Sequence, residues 1–137
     1  MFNSGKVLYR NSTFLLLLLV SATLLSACSR DPEVRKQGYY DSGMEYLEQG
    51  KLSEATIQFR NALQVDPAFV EARTMLGNLW FRQRQYREAY RELHSVVEAR
   101  PDYLPARKAM GSFYLASRMF SEAQEEAEYA LEASPDD

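Results

Sequence analysis

From Lys36 onward, the same residue types return every 34 positions without insertion. Gly43, Gly77 and Gly111 stand in step, as do Ala55, Ala89 and Ala123, and Pro67, Pro101 and Pro135. Tyr46, Trp80 and Tyr114 place an aromatic three residues after each glycine, and Leu52, Tyr86 and Phe120 make a fifth column. A chain of this kind is built from one supersecondary unit used three times. Such units must lean on one another, because a single one cannot bury its own apolar face.

Each unit reads as a helical hairpin. In the first, a helix over about Gln37–Glu48 carries Gly43 where a side chain would hold a partner helix away, and Tyr46 fills the space beside it. Gly50 breaks that helix before Lys51. A second helix, Leu52–Val65, sets Ala55, Phe59, Ala62 and Leu63 on one face. Asp66-Pro67 is expected to end it and open the next, with Asp66 as a cap and Pro67 early in the helix, where no N–H is missed. The second unit is predicted as Val70–Arg82 and Tyr86–Ala99, with Leu76, Gly77, Leu79 and Trp80 facing Ala89, Leu93, Val96 and Val97. Arg100-Pro101 separates it from the third, Leu104–Ser117 and Phe120–Leu131. There Met110, Gly111, Phe113 and Tyr114 face Ala123, Ala127 and Ala130.

A small residue, an aromatic, a central alanine and a late proline at these spacings resemble the tetratricopeptide repeat. The likeness covers residues 36–137 as three repeats, 36–69, 70–103 and 104–137. It implies an all-α fold, a right-handed α-solenoid whose first helices line a concave face. On that face the resemblance places Gln37, Tyr40, Asp41, Met44, Leu47 and Glu48, then Glu71, Thr74, Met75, Asn78, Phe81 and Arg82, then Pro105, Lys108, Ala109, Ser112, Leu115 and Ala116. Tyr40, Met44, Met75 and Phe81 form an apolar strip with Asn78 and Arg82 beside it, suited to an extended or helical peptide. The same residues can instead pack adjacent first helices. Some members of the family clamp a peptide's terminal carboxylate with lysine, asparagine and basic side chains. The matching positions here hold Tyr40, Met44, Met75, Pro105 and Ala109, so that clamp is absent.

Ahead of the repeats, residues 1–13 carry Lys6 and Arg10 and no acid, and Phe14–Val20 with Ser21–Leu25 is apolar over about 12 residues, short of the roughly 20 a span needs. Leu25-Ser26-Ala27-Cys28 follows and resembles the lipobox of bacterial lipoproteins. That implies a signal peptide over 1–27, acylation of Cys28 and a tether over 28–35. Several acyl chains on Cys28 would hold the protein at a bilayer. By the sorting rule of that family, Ser29 points to the outer membrane and its periplasmic face. Asp31-Pro32-Glu33 has the makings of a helix start.

The formal charge is −3, from 16 bases and 19 acids; without residues 1–27, 14 bases remain against 19 acids, a balance of −5. An acidic chain of this kind does not attract nucleic acid at long range. A single cysteine forms no internal disulfide and no thiolate metal cluster. His94 is the only histidine, read as a surface residue without an acidic partner, and Glu122, Glu125, Glu126 and Glu128 spread around a solvated face. No phosphate-cradling loop or metalloprotease motif occurs, so neither catalysis, a metal nor a cofactor is expected. Arg82, Arg84, Arg87 and Arg91, partly offset by Glu88 and Glu92, make a local basic patch for a partner or polysaccharide.

The run from Glu54 to Pro67, with Glu71-Ala72-Arg73 and Leu76-Gly77, resembles the opening repeats of the many-repeat lipoproteins linked to exosortase and exopolysaccharide systems of Gram-negative bacteria. Pilotins of type IV pilus secretins and adaptors for cell-wall enzymes are similar to a lesser degree. These likenesses imply a membrane-anchored protein-binding scaffold for envelope assembly or for exopolysaccharide or protein export. The last repeat leaves Ala123, Ala127, Ala130, Phe120 and Leu131 seeking a cover. That leaves open a piece of a longer array, self-association through the C-terminal end, or a self-sufficient domain.

Overall fold

A computed structural model describes residues 31–134, so the expected signal peptide over 1–27, Cys28 and Pro135 lie outside the described residues. These residues form helices and turns only: α1 (Pro32–Glu48), α2 (Leu52–Val65), α3 (Val70–Arg82), α4 (Tyr86–Ala99), α5 (Leu104–Ala116) and α6 (Phe120–Ala133). They pair as three hairpins in a solenoid. Helix α1 starts at Pro32, where Asp31 Oδ1 accepts the Glu33 N–H at 3.0 Å, so the end of the expected tether is helical.

The turn inside each hairpin is built the same way. Lys51 N–H bonds back to Tyr46 C=O and Gly50 N–H to Leu47 C=O. Gln85 to Trp80 with Arg84 to Phe81, and Met119 to Tyr114 with Arg118 to Leu115, repeat the pair of bonds. This is the Schellman closure, and it needs a left-handed residue just past the helix. Gly50 supplies it at φ 73°, but Arg84 and Arg118 are forced there at φ 61° and 60°.

Between hairpins the structure corrects one expectation. Phe69 N–H bonds to Asp66 C=O at 3.2 Å and Tyr103 N–H to Arg100 C=O at 3.0 Å, so Pro67 and Pro101 sit at the second position of a turn. Pro67 therefore lies outside α3. Asp66 caps the turn through the Ala68 N–H at 2.9 Å and does not cap the helix. Lys36, 2.6 Å from the same carboxylate, together with the Ala68 N–H, holds Asp66 below its usual pKa.

Glycine sets the spacing within a hairpin. A Cβ on Gly43 would come 2.6 Å from the Phe59 ring, and one on Gly77 would come 2.7 Å from Leu93 Cγ. In the third hairpin the facing residue is Ala127, and a Cβ on Gly111 meets only Glu126 Cβ at 3.3 Å. A clip absent from the sequence reading holds the second and third pairs. Arg73 bonds Glu92 at 2.9 Å and the Pro67 carbonyl at 2.6 Å. Arg107 repeats it one period on, with Glu126 at 2.8 Å and the Pro101 carbonyl at 2.6 Å.

The core runs through Ala55, Phe59 and Ala62, then Ala72, Leu76 and Leu79, then Ala89, Leu93 and Val96, then Ala106, Met110 and Phe113. Helices α3 and α5 bring Ala72-Leu76-Leu79 and Ala106-Met110-Phe113 to the preceding hairpin. The same columns of α1 hold Gly38, Ser42 and Glu45, which are not part of the core, so the leading face of the first hairpin is polar. At the other end, α6 contains no buried residue, and Phe120 and Leu131 are 63% and 58% exposed. With Ala127 and Leu115 they line a groove of about 610 Å³ on the trailing face of the third hairpin.

Replacing Gly77 by Ala overpacks against Leu93 and should destabilise the protein by about 1–3 kcal/mol. Gly111→Ala should be close to neutral, since the mild contact is offset by alanine's helix preference of about 0.5–1 kcal/mol. Arg84→Gly and Arg118→Gly should each stabilise by about 0.5–1 kcal/mol through relief of the left-handed strain. Thermal unfolding followed by circular dichroism checks all four, and equal losses for Gly77→Ala and Gly111→Ala would contradict the spacing argument.

Candidate functional site

The first-helix face is set by the register of the hairpins. Tyr40 comes from the middle of α1, Glu71 from the first turn of α3, and Tyr103 from the loop residue that precedes α5. Tyr40, Glu71 and Tyr103 are near enough for each to feel another's charge. Burial lifts the Tyr40 phenol above its ordinary value of 10.0, and the Glu71 and Asp41 carboxylates add to the rise. Burial raises Tyr103 too, with Glu71 and Tyr40 adding and Arg100 opposing. Two hydroxyls therefore remain protonated beside a carboxylate, and together they offer donors and acceptors to a peptide backbone.

The predicted strip is only partly open. Tyr40 is half-buried, its ring 5.6 Å from Phe59 and 5.4 Å from Phe69, so it seals the junction of the first two hairpins. Met44 and Met75 are also half-buried against the core, and Phe81 packs 5.9 Å from Phe113. These four side chains support the first helices while showing one edge. Asn78 is intermediate and Arg82 exposed, the reachable polar members of the set. Thr74 is corrected outright: it is 0% exposed, and its hydroxyl bonds the Val70 carbonyl at 2.8 Å. Tyr103 was missed because it lies in a loop, outside the helical periodicity that located the others.

Other singled-out residues find ordinary settings. His94 does have an acidic neighbour, Glu98 at 3.3 Å, and its ring lies 5.0 Å from Tyr90. Among the described residues no group of three or more His, Cys, Asp or Glu is placed to hold a metal ion. Among them, no helix is long and apolar enough to cross a membrane.

The family model described as "Tetratricopeptide repeat" matches residues 46–112 and 81–137. No curated protein matches the chain. Among solved structures, the first TPR of Spaghetti (RPAP3) bound to the HSP90 peptide SRMEEVD superposes with a TM-score of 0.72 at 23% identity, over 78% of this chain and 84% of that one. The Arabidopsis OM64 TPR domain gives 0.72 at 11% identity, over 78% and 88%. MamA gives 0.66 at 18% identity, over 73% of this chain and 58% of its own. At such identities the likeness is one of fold.

Substituting Glu71→Gln removes the charge shared by the two phenols. The titration midpoints of Tyr40 and Tyr103 should both fall toward 10.0, while Tyr114 should not move, since its pKa is raised by burial and by Tyr90, Glu126 and Glu122. Ring-carbon NMR of the tyrosines across alkaline pH reads this directly. Because the folded values lie above the unfolded one, the phenols' contribution to stability is whole below about pH 10 and fades as pH climbs through them.

Proposed function

The chain belongs to the tetratricopeptide-repeat family, and from that premise we propose that it is a lipid-anchored scaffold of the bacterial envelope that holds a partner's peptide along its first helices. The observation that carries the peptide reading is that Tyr40 of α1, Glu71 of α3 and Tyr103 before α5 lie near enough to feel one another's charge. A ligand crossing that place touches the first two repeats and the turn that leads into the third, which is how a short segment gains affinity from a rigid frame. Asn78 can pair with its backbone, and Arg82 can meet an acidic side chain. The structure of the Spaghetti (RPAP3) domain with an HSP90 peptide gives a precedent for a peptide on this frame. Here the terminal-carboxylate clamp is missing, which disfavours capture of a chain end by that device.

The anchoring half of the proposal rests on the basic start, the short apolar run and Leu25-Ser26-Ala27-Cys28. Acylated Cys28 would keep the repeats at the outer membrane, facing the periplasm. Within the envelope, the run from Glu54 to Pro67 favours export or assembly of an exopolysaccharide over pilus or wall-enzyme work. Genes for exosortase and glycan synthesis beside this one would support that choice, and pilus genes would reverse it.

A photo-crosslinker replacing Asn78 should trap one partner in native membranes, and Arg82→Ala should weaken the capture. The same probe at Glu132, on the last helix, should not trap it. Equal capture from both positions would dispose of the first-helix site. Cys28→Ala should abolish palmitate labelling and release the protein from the membrane fraction. Retention of label in that variant would remove the anchor.

A further inference from the structure

Residues of α2, α3 and α4 line an open cleft of about 440 Å³. Three guanidiniums line it, those of Arg60, Arg73 and Arg91, with Glu92 as the one carboxylate. Glu92 is already committed: one oxygen accepts from Arg73 at 2.9 Å and the other from Arg91 at 2.9 Å. Arg60 lies 5.0 Å over the Trp80 ring and has no carboxylate partner among the described residues. The cleft therefore holds two positive charges in excess within a chain whose net charge is negative.

The repeat separates the charges the fold needs from those it does not. Arg73 and Glu92 recur as Arg107 and Glu126, with the same ion pair and the same bond to a proline carbonyl. Arg60, Gln64 and Arg91 do not recur; the positions one period on are His94, Glu98 and Glu125. Two backbone settings related by the repeat thus carry opposite charge. Packing does not ask for Arg60 or Arg91.

We propose that this cleft is a second binding site, for an acidic peptide segment whose carboxylates pair with Arg60 and Arg91. Glu92 shows within the protein how a carboxylate sits between two of these arginines. Half-buried Leu63 gives the wall some apolar area, and the Gln64 amide can meet a peptide bond. A sugar ring would want an open aromatic face, but Trp80 is only 8% exposed and Arg60 lies across it. A local positive cleft on an acidic body also steers an acidic partner to one place.

The chain's single tryptophan is in the cleft and reports on it. The full chain in detergent is titrated with a fluorescein-labelled oligoglutamate peptide, following peptide anisotropy and Trp80 emission together. Saturable binding that shifts Trp80 emission and weakens with salt is expected. Arg60→Gln and Arg91→Gln, at unchanged helix content, should each raise Kd about tenfold, the loss of one charge-assisted contact. Glu125→Gln, in the acidic counterpart, should leave Kd unchanged. Equal binding of oligoglutamine, or binding indifferent to both arginine variants, would overturn the proposal. So would full displacement by equimolar inorganic phosphate or by an oligouronate.

Discussion

In the first two hairpins a glycine of one helix meets a large apolar side chain of the other with no room for a Cβ, Gly43 on Phe59 and Gly77 on Leu93. That close approach brings Ala55, Ala62 and Ala89 to complete burial, because only small side chains fit where two backbones lie so near. It also fixes where the next hairpin can sit, so Ala72, Leu76 and Leu79 fall on the first hairpin and Ala106, Met110 and Phe113 on the second. Where the large residue becomes Ala127 the hold relaxes, and α6 buries nothing fully. The Arg107–Glu126 clip then carries relatively more of the third hairpin's cohesion.

Helix limits were readable because glycine and proline punctuate the chain by local stereochemistry. Helices α2, α3 and α4 match their expected bounds, α5 ends one residue early and α6 runs two residues further. Helix α1 begins where Asp31 and Pro32 make a cap, ahead of the apolar periodicity that suggested Gln37. The left-handed turns at Arg84 and Arg118 were hidden, since arginine gives no hint of positive φ; only their alignment with Gly50 could have shown it. Thr74 misled in the other direction. The resemblance placed it on the first-helix face, whereas its hydroxyl is satisfied by the Val70 carbonyl of its own helix and the residue is fully buried.

The ion pairs teach a related lesson. Arg73 with Glu92 and Arg107 with Glu126 were in register in the sequence, but charged residues on amphipathic helices read as solvated faces. Repetition is what exposes their structural duty. The converse holds at the candidate sites: Tyr40, Glu71 and Tyr103 occupy three different places in the repeat, and Arg60 and Arg91 are replaced one period on. Residues the hairpin needs return with the period, whereas residues that distinguish this molecule break it. Periodicity therefore located the frame well and the binding groups poorly.

The two ends of the stack differ in kind. Gly38, Ser42 and Glu45 give the first hairpin a wettable front, while Phe120 and Leu131 leave an oily back. Copies offered front to back would bury a glutamate carboxylate on hydrocarbon, a costly exchange. Among the described residues the two ends of the stack are therefore unlike surfaces, one polar and one apolar, and a front-to-back contact between them is disfavoured.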